Sequence, residues 1–126
     1  MRNFRELDIW QESMQVVVET YQLVKLFPKE EEYGMKIQVK RAVTSIPSNI
    51  AEGCSRSSQK EFKHYLEISV GSSFEVETNI ILAEKLGMIS NEELTSFLPK
   101  LNILQKQINS LISKIKSSKE LSTAKS

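Results

Sequence analysis

The sequence predicts an all-α protein, an antiparallel up-down four-helix bundle whose second helix is kinked at Pro47. Three observations carry that expectation. Only 4 Gly and 3 Pro punctuate 126 residues, too few turn formers for an all-β chain. Four long segments repeat apolar residues at spacings of three and four, which lines them along one helical face. The stretch Ser45-Ile46-Pro47-Ser48-Asn49-Ile50-Ala51-Glu52-Gly53 places Ile46, Ile50 and Gly53 on one face around a proline. The N–H that proline lacks removes one helical hydrogen bond and bends the rod.

Residues 1–6 form a short leader in which Phe4 is a candidate to tuck against the first helix. Asp8 with Gln11 reads as a capping box. Leu7, Trp10, Met14, Val17, Tyr21 and Val24 then trace a seam, and Val16, Val18 and Leu23 widen it enough to touch two neighbours. Pro28 ends this helix by pushing Phe27 out of the α region. The second helix carries Met35, Val39, Ala42, Ile46 and Ile50 and is expected to close with Gly53 as a left-handed cap. Ser58 and Glu61 cap the third, whose face reads Phe62, Leu66, Ser69, Ser73, Val76, Ile80 and Ala83. Its small middle, Ser69 with Gly71, Ser72 and Ser73, suits close approach of another helix. The pairing expected is Ser45–Gly53 against Ser69–Thr78, with Gly87 ending the helix. Ser90 with Glu93 opens the fourth, which continues through Leu94, Leu98, Leu101, Leu104, Ile108, Leu111 and Ile115 and is expected to kink or split at Pro99. Residues 1–116 read as one bundle domain and 117–126 as a polar, disordered tail.

The formal net charge is +1, so charge balance alone neither suggests nor excludes a nucleic-acid partner. One cysteine, Cys54, rules out an internal disulfide and fits a reducing compartment. No run reaches the roughly 20 apolar residues of a membrane span, and the N-terminus has no apolar signal core. The expected location is cytoplasmic, with no membrane partner.

Phe4-Arg5-Glu6-Leu7-Asp8-Ile9-Trp10-Gln11, Phe27-Pro28-Lys29-Glu30 with Tyr33-Gly34, Gln38, Arg41-Ala42, the Ser45–Gly53 block, Gly71-Ser72 with Glu75 and Thr78, and Leu86-Gly87 carry a family likeness. On these residues the chain resembles, over residues 4–116, the small four-helix bundles encoded in intervening sequences of bacterial large-subunit ribosomal RNA genes. Ser13-Met14 and Ser69 stand where that family often has alanines. The chain is also similar to the accessory variability protein of diversity-generating retroelements. The resemblance implies an up-down bundle that often assembles as a ring-like homopentamer, in a family with no established catalytic activity. The retroelement relative binds nucleic acid through a basic surface, and binds a reverse transcriptase.

Candidate sites follow from residue chemistry. Glu61-Phe62-Lys63-His64 has the Glu-x-x-His form of bundle metal sites, but it occurs once and holds the only His, so no metal site is expected. Cys54 and His64 have no orienting partner for nucleophilic catalysis. Glycines at 34, 53, 71 and 87 form no phosphate loop. No catalytic residue and no cofactor is expected. Arg41, Asn49, Glu52, Glu75 and Thr78 are expected to form an interhelical polar network. Lys36, Lys40, Arg56, Lys60, Lys63 and His64 are the candidate nucleic-acid contacts. Lys100, Lys106, Lys114, Lys116 and Lys119 spread around the fourth helix rather than forming one stripe. Val16, Val18, Phe97 and Ile103 exceed what one bundle core is expected to enclose, which favours self-association. The function expected is non-enzymatic binding of RNA or DNA by an oligomer. The alternative is a scaffold for a partner protein, with no nucleic-acid contact.

Overall fold

Four helices make up the computed structural model: α1 (Asp8–Val24), α2 (Met35–Cys54), α3 (Gln59–Lys85) and α4 (Asn91–Lys125). The structure describes the backbone of residues 2–125 and side chains to Ser118. The tail expected over 117–126 lies from residue 119 outside the described side chains, although the backbone of α4 runs as helix to Lys125. Single 3-10 turns occur at Phe4–Glu6 and Lys29–Glu31, and no strand occurs among the described residues. Each helix packs on the next in sequence, and α1 meets α4 to close the bundle. The α2–α3 contact is the most extensive and α1–α4 the least.

At α4 the capping box is reciprocal. The Ser90 amide donates to Glu93 Oε1 at 2.7 Å and the Glu93 amide to Ser90 Oγ at 3.0 Å. Ser58 Oγ accepts from the Glu61 amide at 3.1 Å. Gly87, at φ 78°, ends α3 in a Schellman turn, with Gly87 N–H on the Glu84 carbonyl and Met88 N–H on that of Ala83. The start of α1 differs from expectation. Asp8 lies inside the helix, Leu7 occupies the cap position without a side-chain bond, and Gln11 Nε2 reaches back to the Arg5 carbonyl at 2.8 Å. Phe4 does tuck in, edge-on to Trp10 at 5.2 Å between ring centroids.

The core faces of α2 and α3 match the expected ones, including fully buried Ser69 and Ser73. That of α1 is rotated. Ile9, Ser13, Val16, Thr20 and Leu23 point inward, while Met14 is exposed and Trp10, Val17 and Tyr21 are half-buried. Ser13 and Thr20 enter the core because each hydroxyl donates to its own helix, to the carbonyls of Trp10 (2.7 Å) and Val16 (2.6 Å). Val16 and Phe97, expected at the surface, belong to the core, whereas Val18 and Ile103 are exposed. Pro99 is exposed within an unbroken α4, so no leading helix splits off.

Along α2–α3 the register is about one turn or more from the pairing expected. Ser45 Oγ meets Ser72 Oγ at 2.9 Å, and Ser69 Oγ donates to the Ile46 carbonyl, beside Pro47, at 2.9 Å. Farther down, Gly53 packs under Phe62 and Tyr65. The stretch Ser45–Gly53 thus faces residues 62–72 instead of 69–78. Gly53 is helical and does not cap, since Gly87 is the only positive-φ residue among those described. A Cβ at Gly53 would lie 2.9 Å from Tyr65 Cβ and 3.1 Å from Phe62 Cδ1. Gly71 faces open space and contributes nothing to the close approach. The two glycines therefore respond oppositely to alanine. Gly53→Ala is expected to destabilise by about 1–3 kcal/mol through overpacking. Gly71→Ala is expected to stabilise by about 0.5–1 kcal/mol through helix propensity. Urea denaturation of the two variants checks both signs.

Candidate nucleic-acid interface

Where α2 turns into α3, the chain places Arg56 over an aromatic ring. Its Nη2 donates to Tyr65 OH at 2.7 Å and to Glu52 Oε1 at 3.0 Å, and its guanidinium lies 4.8 Å from the Tyr65 ring centroid. His64 meets Tyr65 edge-on at 5.8 Å. Lys63 approaches Glu67 at 3.7 Å, and Lys60 is exposed with no ion pair among the described residues. All of these lie at the N-terminus of α3, the positive end of its dipole.

The leader adds charges that the sequence reading did not assign. The Arg2 amide donates to the Cys54 carbonyl at 3.3 Å, and the Arg2 guanidinium sits 4.0 Å above the Phe62 ring. Arg5 stacks on Phe4 beside it. The signal was available as an arginine-rich N-terminus, but only the fold of residues 2–6 against α2 shows which end of the bundle they join. The α3–α4 register, set where Glu77 meets Asn102 and Gln105, carries Lys114 and Lys116 to the same end. One end thus gathers Arg2, Arg5, Arg56, Lys60, Lys63, His64, Lys114 and Lys116, interspersed with Glu6, Asp8, Glu52, Glu61 and Glu67. Loops at the other end carry Glu30, Glu31, Glu32, Glu84, Glu92 and Glu93 beside Lys25, Lys29, Lys36 and Lys85.

Lys40 and Lys36, expected to join the contacts, sit about 21 and 27 Å from the Cys54 end of α2 at 1.5 Å per residue. Lys36 pairs with Glu32 at 2.9 Å, which holds the Glu32 carboxyl below its usual range, and Lys40 lies over the Tyr21 ring at 5.1 Å. The expected polar network does not form. Arg41 is exposed and makes no ion pair among the described residues. Asn49 Nδ2 bonds the carbonyl and hydroxyl of Ser45 (2.8 and 2.9 Å), Glu52 takes Arg56, Thr78 bonds the Phe74 carbonyl at 2.8 Å, and Glu75 is exposed. Arg41, Glu75 and Thr78 fall on outward faces of their helices, so burial never forces them to pair. The network present links Glu77 Oε1 to Asn102 Nδ2 (3.1 Å) and Gln105 Nε2 (2.9 Å).

Cys54 is buried beneath the leader, and burial pushes its thiol pKa up, against a smaller opposing pull from Arg2. Among the described residues no three His, Cys, Asp or Glu side chains cluster as a metal site, and no helix is long and apolar enough to cross a membrane.

The family model described as 23S rRNA-intervening sequence protein matches residues 5–110. The chain belongs to this family. A crystal structure of a protein of unknown function from the S23 ribosomal protein family of Bacteroides thetaiotaomicron superposes with a TM-score of 0.76 at 26% identity. That match covers 82% of this chain and 97% of the other. No curated protein matches. The two chains thus share the four-helix architecture described above.

The Glu77 network locks α3 to α4. Glu77→Ala is expected to lower stability by about 1–3 kcal/mol because it strands the buried Gln105 amide and leaves Asn102 only its bond to Gln105 Oε1. Glu75→Ala, on the exposed face, is expected to stay within about 0.5 kcal/mol of the parent. Thermal denaturation of both variants distinguishes the real network from the expected one.

Proposed function

We propose that this chain is a non-enzymatic, self-associating bundle that binds RNA or DNA phosphates through its cationic end. The observation that carries this reading is the convergence of basic side chains from the leader, the α2–α3 turn, α3 and α4. Arg56 and Tyr65 add a guanidinium and an aromatic face suited to phosphate and base. The family's description, an intervening-sequence protein of 23S rRNA, agrees with a nucleic-acid setting. Each phosphate neutralised releases counterions, so binding should weaken with salt, by a log–log slope of about 0.9 per contact on duplex. Electrophoretic shift across a salt series is expected to show that dependence. Lys60→Glu with Arg5→Glu is expected to weaken binding on every sequence tested, while Lys36→Glu at the other end leaves it unchanged. Absence of any shift at low salt refutes the reading.

Self-association is supported by the outward face of α3. Ile68, Phe74 and Leu82 are 38%, 52% and 41% exposed there, beside Gly71, Glu75 and Thr78 of the family motif. A closed ring would bury such a face and multiply the cationic end around its axis. A homopentamer, with a mass about five times the 14.4 kDa chain, is the state expected in light scattering. Phe74→Glu is expected to shift it to smaller species. A parent chain that scatters as a monomer at micromolar concentration removes the ring.

A further inference from the structure

The groove between α1 and α4, the least extensive helix contact in the bundle, has a chemistry opposite to the cationic end. Lys100 and Glu19 pair across its middle. On one side lies a hollow floored by Leu23, Leu26 and Phe97; on the other, one floored by Val16 and Ile103. Leu26 and Ile103 are 51% and 52% exposed. The rim is acidic. Glu12 and Glu92 are exposed and make no ion pair among the described residues, and the only basic side chain on the walls is the Lys100 that Glu19 holds.

We infer that this groove docks a cationic amphipathic helix of a partner protein. Three constraints select that occupant. The carboxylates repel nucleic-acid phosphates and acidic helices and attract Lys or Arg. The opposition of Glu19 and Lys100 sets Ile103 level with Val16, so Leu26 lies ten residues farther along α1, about 15 Å away at 1.5 Å per residue. An occupying helix meets both apolar points with side chains ten or eleven residues apart, and carries its basic residues between and beside them. A second copy fits poorly. The exposed apolar face of α3 carries Glu67 and Glu75, which would set carboxylate against carboxylate.

The test is fluorescence polarisation with a labelled amphipathic helix of about 20 residues built from Leu and Lys, and with its Leu/Glu counterpart. The Lys helix is expected to bind and the Glu helix not. Glu12→Lys with Glu92→Gln, and separately Leu26→Ser with Ile103→Ser, are each expected to weaken binding about tenfold. All four positions are exposed, and circular dichroism verifies that the variants keep the parent helix content. RNA binding, and its loss in Lys60→Glu, report on the cationic end and are expected to be independent of Leu26→Ser with Ile103→Ser. Equal binding of both peptides overturns the inference, as does an unchanged affinity in both double variants. A fall in oligomer mass on Leu26→Ser with Ile103→Ser also overturns it, by assigning the groove to a contact between copies.

Discussion

The close approach of α2 and α3 is the constraint on which the rest of this bundle depends. Gly53 leaves no room for a Cβ beneath Tyr65 and Phe62, and at the middle of α2 the hydroxyls of Ser45 and Ser72 touch. Between them, Ser69 donates to the carbonyl next to Pro47. The donor that Pro47 lacks is the one the Val43 carbonyl would accept, so the Ser69 bond to Ile46 is an added contact across the helices, made possible because a serine takes little space. Bulkier side chains at Gly53 or Ser69 would push the helices apart and move Tyr65 away from Arg56. The geometry of the turn, and with it the cationic end, therefore follows from how small these residues are.

That contact also explains how a nearly neutral chain acquires chemically distinct regions. In an up-down bundle the N-termini of α1 and α3 and the C-termini of α2 and α4 meet at one end. Basic residues that lie far apart in sequence, Arg2, Arg56, Lys60 and Lys116, converge there, while the loops at the other end collect glutamates. Net charge averages this separation away. The groove between α1 and α4, where the helix contact is least extensive, is a third environment.

Much of this was legible in the chain. The capping pairs Ser58–Glu61 and Ser90–Glu93 and the Gly87 turn involve neighbours within a few residues, so their geometry is fixed locally. The inward faces of α2 and α3 were legible because their apolar periodicity is unbroken, even through Ser69 and Ser73. The face of α1 was not. Periodicity scored Ser13 and Thr20 as polar, although a hydroxyl bonded to its own helix behaves in a core as a small side chain. Of the expected contacts, Arg56, Lys60, Lys63 and His64 share one end of the bundle, but Lys36 and Lys40 do not. Arg2 and Arg5 were missed because a leader has no periodicity to assign it a place.

The sequence by itself determined that four helices form, where α3 and α4 begin, where α3 ends, and which family the chain belongs to, because caps, breakers and motif blocks act over one or two turns. Only the tertiary structure decided the register of α2 on α3, the identity of the buried polar partners and the sorting of charge. Those depend on distances between side chains on different helices, and a shift of one turn exchanges every partner while leaving each helix's own pattern intact.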